Sequence, residues 1–138
     1  MIRDDYITRL IQQVARAIAR MLGKAEQGDL QGALDEASDA YDLLGLPPDL
    51  AIRADAASLA EILSPDKLRL LSQVLWQEGT LLAGSGDPVN GLDRRRRAIE
   101  ARLEAQRRDP VDDDASALQE MFRHVPTNLL SARYREAP

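Results

Sequence analysis

Gly28-Asp29-Leu30-Gln31-Gly32-Ala33-Leu34-Asp35 and Gly86-Asp87-Pro88-Val89-Asn90-Gly91-Leu92-Asp93 are one turn written twice, 58 positions apart. Glycine, aspartate, leucine and aspartate fall in the same register, and Ala40 matches Ala98 beyond them. Each copy lies between two long stretches with apolar residues at helical spacing, so each predicts an antiparallel helix pair. Pairs stacked side by side bury a shared apolar face and leave a surface suited to holding a partner. The expectation is a single all-α domain over residues 1–138, a right-handed stack of about six or seven helices.

Composition agrees with helix-on-helix packing. Aromatic residues make up only 4% of the chain, so leucine, isoleucine and alanine must build the core. That set suits helices better than a sheet, which favours β-branched and aromatic residues. With no cysteine, disulfide bridges and thiolate metal sites or nucleophiles are excluded. Met1-Ile2-Arg3-Asp4-Asp5 is acidic where a signal peptide is basic, and no apolar stretch is long enough to span a bilayer, which predicts a cytoplasmic protein.

Along the chain, pair one is expected over about residues 4–44, its first helix carrying Ile7, Leu10, Ile11, Val14, Ile18, Met21 and Leu22. An insert helix follows over about 49–63, with Ile52, Ala56, Leu59 and Leu63 in line. Pair two is expected over about 65–108, and its first helix, apolar on two adjoining faces, should be central. Asp109-Pro110 stops the second helix of that pair. Capping helices are expected over about 112–135, with Asp112-Asp113-Asp114 as the N-terminal cap and a frayed tail after Arg135.

The run from Leu75-Trp76-Gln77-Glu78-Gly79 through Gly91 to Ala98 resembles a tetratricopeptide unit. The resemblance implies small residues where backbones approach closely: Gly79 in the first helix, Gly91 and Ala98 in the second. Pair one fits more loosely through Ala33 and Ala40, with Met21 where that glycine would stand. Neither copy keeps the family spacing to a closing proline. The opening Met1-Ile2-Arg3-Asp4-Asp5-Tyr6-Ile7, with Arg9 and Ile11, resembles an uncharacterised bacterial family of short, all-helical, tetratricopeptide-like proteins. That likeness implies a fold and brings no activity.

Charge is unevenly distributed in a chain of net charge −5. Nine carboxylates lie between Asp29 and Asp66 against Arg53 alone, whereas Arg94-Arg95-Arg96-Arg97, Arg102, Arg107 and Arg108 face only Glu100 and Glu104. The arginine helix reads either as a patch for phosphate or an acidic partner, or as a face neutralised at i,i+4 by Asp93–Arg97, Glu104–Arg108 and Glu100 with Arg96 or Arg97. Pairing with the acidic segment is the remaining possibility. Arg94, Arg95, Arg102 and Arg107 have no obvious local partner, so they are candidate partner-binding residues. Trp76 and Tyr41 join them as large amphipathic side chains that could line a groove or fill the core. His124, the only histidine, has no carboxylate partner evident in sequence that would make it a general base, and a structural place near a helix end is expected.

No catalytic, cofactor or metal motif is present: consecutive aspartates at 112–114 lack a calcium loop's alternation, and Gly84-Ser85-Gly86 lacks the lysine and strand of a phosphate cradle. The expected function is a non-catalytic interaction or scaffold module presenting a helical groove to a protein or peptide. Two helix pairs are fewer than the usual three, so self-association into a homodimer would cover an exposed end. The alternatives are a small regulator contacting nucleic acid through Arg94–Arg108, which the lack of interleaved aromatics disfavours, and, more remotely, an enzyme with an unrecognised carboxylate site.

Overall fold

A computed structural model describes residues 2–135. Among them are eight α-helices and one 3-10 turn, and no strand: α1 (Ile2–Glu26), α2 (Leu30–Leu43), α3 (Pro48–Arg53), α4 (Ala56–Ile62), α5 (Pro65–Gly84), α6 (Pro88–Arg108), α7 (Asp112–Phe122), the turn Thr127–Leu129, and α8 (Ala132–Arg135). The protein is all-α. Met1 and the tail after Arg135, read above as an acidic start and a frayed end, lie outside the described residues. Among the described residues no helix is long and apolar enough to cross a membrane.

The two Gly-Asp turns close by the same chemistry. Gly28 and Gly86 hold φ of 79° and 90°, which side chains resist. The Asp29 and Asp87 amides then reach back to the carbonyls of Lys24 and Leu82, each at 2.9 Å, a Schellman-type closure. Each aspartate next caps the following helix, accepting from the Gly32 amide at 2.9 Å and the Asn90 amide at 3.3 Å. The turns fold α1 against α2 and α5 against α6. Between α5 and α6 positions run in opposite senses: Ser72 Oγ donates to the Ala98 carbonyl, while Gly79 lies against Gly91.

One expected element is divided. The insert over 49–63 is two short helices, α3 and α4, because Ala54 is extended and Asp55 starts a new helix by accepting from the Ser58 amide at 2.7 Å. The expected cap at Asp112-Asp113-Asp114 also shifts. Val111 takes the cap position without a side-chain bond, the three aspartates form the first turn, and Asp114 is buried.

The core runs from Leu10, Val14, Ala17 and Met21 of α1 through Ala33, Ala37 and Tyr41 of α2 to Leu71, Val74 and Leu75 of α5. Both faces of α5 contribute to it. The most enclosed stretch, however, is on α6, where every residue from Arg97 to Ala105 is buried. A helix that reads as solvated in sequence is at the centre of the fold.

Candidate binding groove

Most arginines of α6 bond groups within the fold. Arg97, 6% exposed, donates through Nη2 to the carbonyls of Ala51, at 2.7 Å, and Ala54. Arg108 Nη1 reaches the Ala60 and Leu63 carbonyls at 2.6 and 2.8 Å. These are the terminal carbonyls of α3 and α4, which helices of one or two turns cannot satisfy internally. Arg94 pairs with Glu78 at 2.9 Å and Asp93 at 3.0 Å, and Arg96 joins Asp93, Glu100 and the Ser131 hydroxyl. Glu100 therefore serves Arg96 as expected, whereas the Asp93–Arg97 and Glu104–Arg108 pairs are not formed. Among the described residues, no ion pair joins this helix to the carboxylates of 29–66, because nearer carboxylates and carbonyls engage the arginines first.

The carboxylates of α6 fasten the C-terminal segment. Glu100 Oε2 accepts from the Ser131 amide at 2.8 Å, and Glu104 Oε2 accepts from the Tyr134 hydroxyl at 2.6 Å. Burial, then the bond to Glu104, pushes the Tyr134 hydroxyl well above its ordinary pKa. Tyr41 makes a matching pair on the other side of the core, donating to Glu78 at 2.8 Å. With 1% of its surface exposed, Tyr41 packs inside the protein and lines no groove.

The remaining candidates diverge. Arg107 lies on the surface, its side chain 60% exposed, and contacts Glu104 at 3.7 Å. Trp76, Arg95 and Arg102 come together around one crevice. The Arg95 guanidinium stacks over the indole at 5.1 Å and donates to Thr80, while the exposed His124 meets the indole edge-on at 5.9 Å.

That crevice follows α1 and α5, which run in the same direction. Three cavities lie along it in order. The first, about 260 Å³, brings Ile11 beside Arg69, Leu70 and Gln73. The second, about 440 Å³, brings Ala15 and Ile18 beside Trp76, with Ala117, Glu120 and Met121 of α7 as a third wall. The third, about 360 Å³, brings Leu22 and Ala25 beside Leu81 and Gly84. Gln73 and Arg102 border both the first and the second, so these two adjoin.

The α1 wall is therefore Ile11, Ala15, Ile18, Leu22 and Ala25, spaced four, three, four and three residues apart. It is a second apolar stripe beside the core stripe of Leu10, Val14, Ala17 and Met21. Ile11 and Leu22 are 47% and 40% exposed, too much for side chains that complete a core. In sequence the two stripes merge into one broad apolar face, so the outer stripe is not legible as a separate surface.

At the crevice floor Asp114, fully buried, accepts two bonds from Arg69 Nε at 3.1 and 3.3 Å and one from Arg69 Nη2 at 3.0 Å. Arg102 adds a single bond to it, from Nη1 at 3.2 Å. The Asp114 bond raises the Arg69 pKa, whereas burial lowers that of Arg102 despite the same carboxylate. Compared with protein-family models, curated proteins and solved structures, the chain has no match.

Proposed function

We propose that this protein is a non-catalytic interaction module whose α1–α5–α7 groove takes a helical segment of a protein partner. The observation that carries the reading is the stripe of Ile11, Ala15, Ile18, Leu22 and Ala25 alongside Trp76, exposed at Ile11, Ala15 and Leu22 and half-buried at Ile18 and Ala25. Its heptad-like spacing is the spacing with which one helix receives the side chains of another. From Ile11 to Ala25 the wall is about 21 Å long, enough for four turns of a bound helix. A cytoplasmic setting and kinship with the tetratricopeptide-like bacterial family belong to the same proposal, which the close approach of Gly79 and Gly91 supports. The nucleic-acid alternative is weakened because Arg94, Arg96, Arg97 and Arg108 already serve carboxylates and carbonyls within the fold.

The test is affinity capture by the wild-type chain, by Ile18→Glu and by Arg107→Glu. A partner retained by Arg107→Glu and lost with Ile18→Glu supports the groove. Retention by Ile18→Glu with loss in Arg107→Glu moves binding to the arginine surface and refutes the proposal.

A further inference from the structure

Arg102 is poorly satisfied for a buried cation. A guanidinium carries five N–H donors. Among the described residues Arg102 uses one of them, the 3.2 Å bond from Nη1, on a carboxylate that Arg69 holds more closely. Its Nε is buried without a partner. Arg95 and Arg97 likewise have a buried Nε without a partner, but Arg97 and Arg108 each donate to two carbonyls and Arg96 bonds Glu100, Asp93 and Ser131. Arg102 is only 8% exposed, yet it borders both adjoining cavities of the groove. A buried guanidinium with surplus donors gains most from a second, planar anionic acceptor.

We infer that the groove selects a partner helix bearing one carboxylate within its apolar stripe, and that this carboxylate pairs with Arg102. The inference rests on the groove reading above and names what the groove recognises. The walls, Ile18, Trp76 and Met121, receive the apolar side chains, and the floor supplies the cation. An acidic helix as a whole is disfavoured, because Asp113 and Glu120 border the same cavities and the chain carries a net charge of −5. A single aspartate or glutamate flanked by apolar residues meets both conditions.

The experiment is a display selection of helical peptides, randomised along one face, against the full chain and against Arg102→Met. Selected peptides are then synthesised with the acidic residue and with its amide, and titrated while the fluorescence of Trp76, the only tryptophan, is followed. An acidic residue should be enriched within the apolar stripe on the wild-type chain and not on Arg102→Met. Replacing it by its amide should weaken binding by roughly tenfold or more on the wild type. On Arg102→Met the same replacement should have little effect. If that variant does not fold by circular dichroism, Arg102→Lys, which keeps the charge without the planar fork, should retain the acidic preference at lower affinity.

Peptides lost with Ile18→Glu but showing no acidic preference overturn the inference and leave the groove reading standing. No peptide sensitive to Ile18→Glu overturns both. A concentration-dependent dimer in light scattering, abolished by Ile18→Glu, assigns the groove to a second copy of the chain and also overturns the inference.

Discussion

Gly91→Ala and Gly23→Ala should change stability in opposite directions. Both glycines lie within helices, where alanine is favoured over glycine by about 1 kcal/mol. A Cβ at Gly23 meets nothing within 4 Å, so the propensity gain is the whole effect there, and Gly23→Ala should stabilise by up to about 1 kcal/mol. At Gly91 the new atom would stand 2.8 Å from the Ala83 amide nitrogen and 2.8 Å from the Gly79 carbonyl oxygen. Both are backbone atoms on α5, so no side chain can swing away and the two helices must separate. Overpacking of this kind costs about 1–3 kcal/mol, leaving a net loss of roughly 1–2 once the propensity gain is subtracted. Gly79→Ala meets the Gly91 oxygen at 2.7 Å from the other side. Because either change opens the same contact, the double variant should cost less than the two single variants added together. Urea unfolding followed by far-ultraviolet circular dichroism measures all four. A Gly91→Ala protein as stable as wild type would refute the claim that close backbone contact sets the α5–α6 spacing.

Three further outcomes follow from the polar contacts. Arg97→Met should cost about 1–3 kcal/mol and expose α3 and α4 to amide exchange, because the Ala51 and Ala54 carbonyls lose their charged donor; unchanged protection across Pro48–Ile62 would contradict it. Tyr134→Phe should cost about 1–3 kcal/mol by removing a donor from buried Glu104, with exchange rising selectively around Leu130–Arg135. Glu36→Gln should be destabilising near neutrality and harmless in acid. Bonds from Arg20 and Lys24 hold the Glu36 pKa below its ordinary value, so its stabilisation is present above the unfolded pKa and lost as pH falls through the folded one. A wild-type-to-variant stability difference that stays constant from neutral pH down through that window would refute this.

Helical periodicity and turn chemistry carried most of the fold, because they act over a few residues. Gly28-Asp29 and Gly86-Asp87 each supply a left-handed residue followed by a cap, and Ser64-Pro65 starts α5 with Ser64 accepting from the Lys67 amide. What sequence pattern could not supply is the direction in which a charged side chain points. Arg97, Glu100 and Glu104 have the composition of a solvated helix, and their burial depends on carbonyls, amides or side chains 30 to 46 positions away, as for Tyr134 and Ala51, while Arg102 depends on Asp114, 12 positions away. The groove was half legible. Trp76 and Arg102, candidates by size and by missing local partners, both border it. Tyr41, a candidate by size alone, is instead sealed into the core, where it bonds Glu78.

The burial of α6 has its cause in the shortness of the elements around it. Helices of six and seven residues, such as α3 and α4, have more terminal carbonyls than their own turns can satisfy. A four-residue α8 buries little apolar surface of its own. Such pieces stay docked when a longer helix supplies their hydrogen bonds, and α6 does so with Arg97 and Arg108 on one side and Glu100 and Glu104 on the other. Each buried charge is costly unless fully partnered, so a helix of this kind should keep only charges that are satisfied within the fold. Arg95, Arg97 and Arg102 each keep a buried Nε without a partner, and of these Arg102 borders both adjoining cavities of the groove. Its single bond together with its place at both cavities, rather than an unpartnered Nε alone, sets it apart from its neighbours.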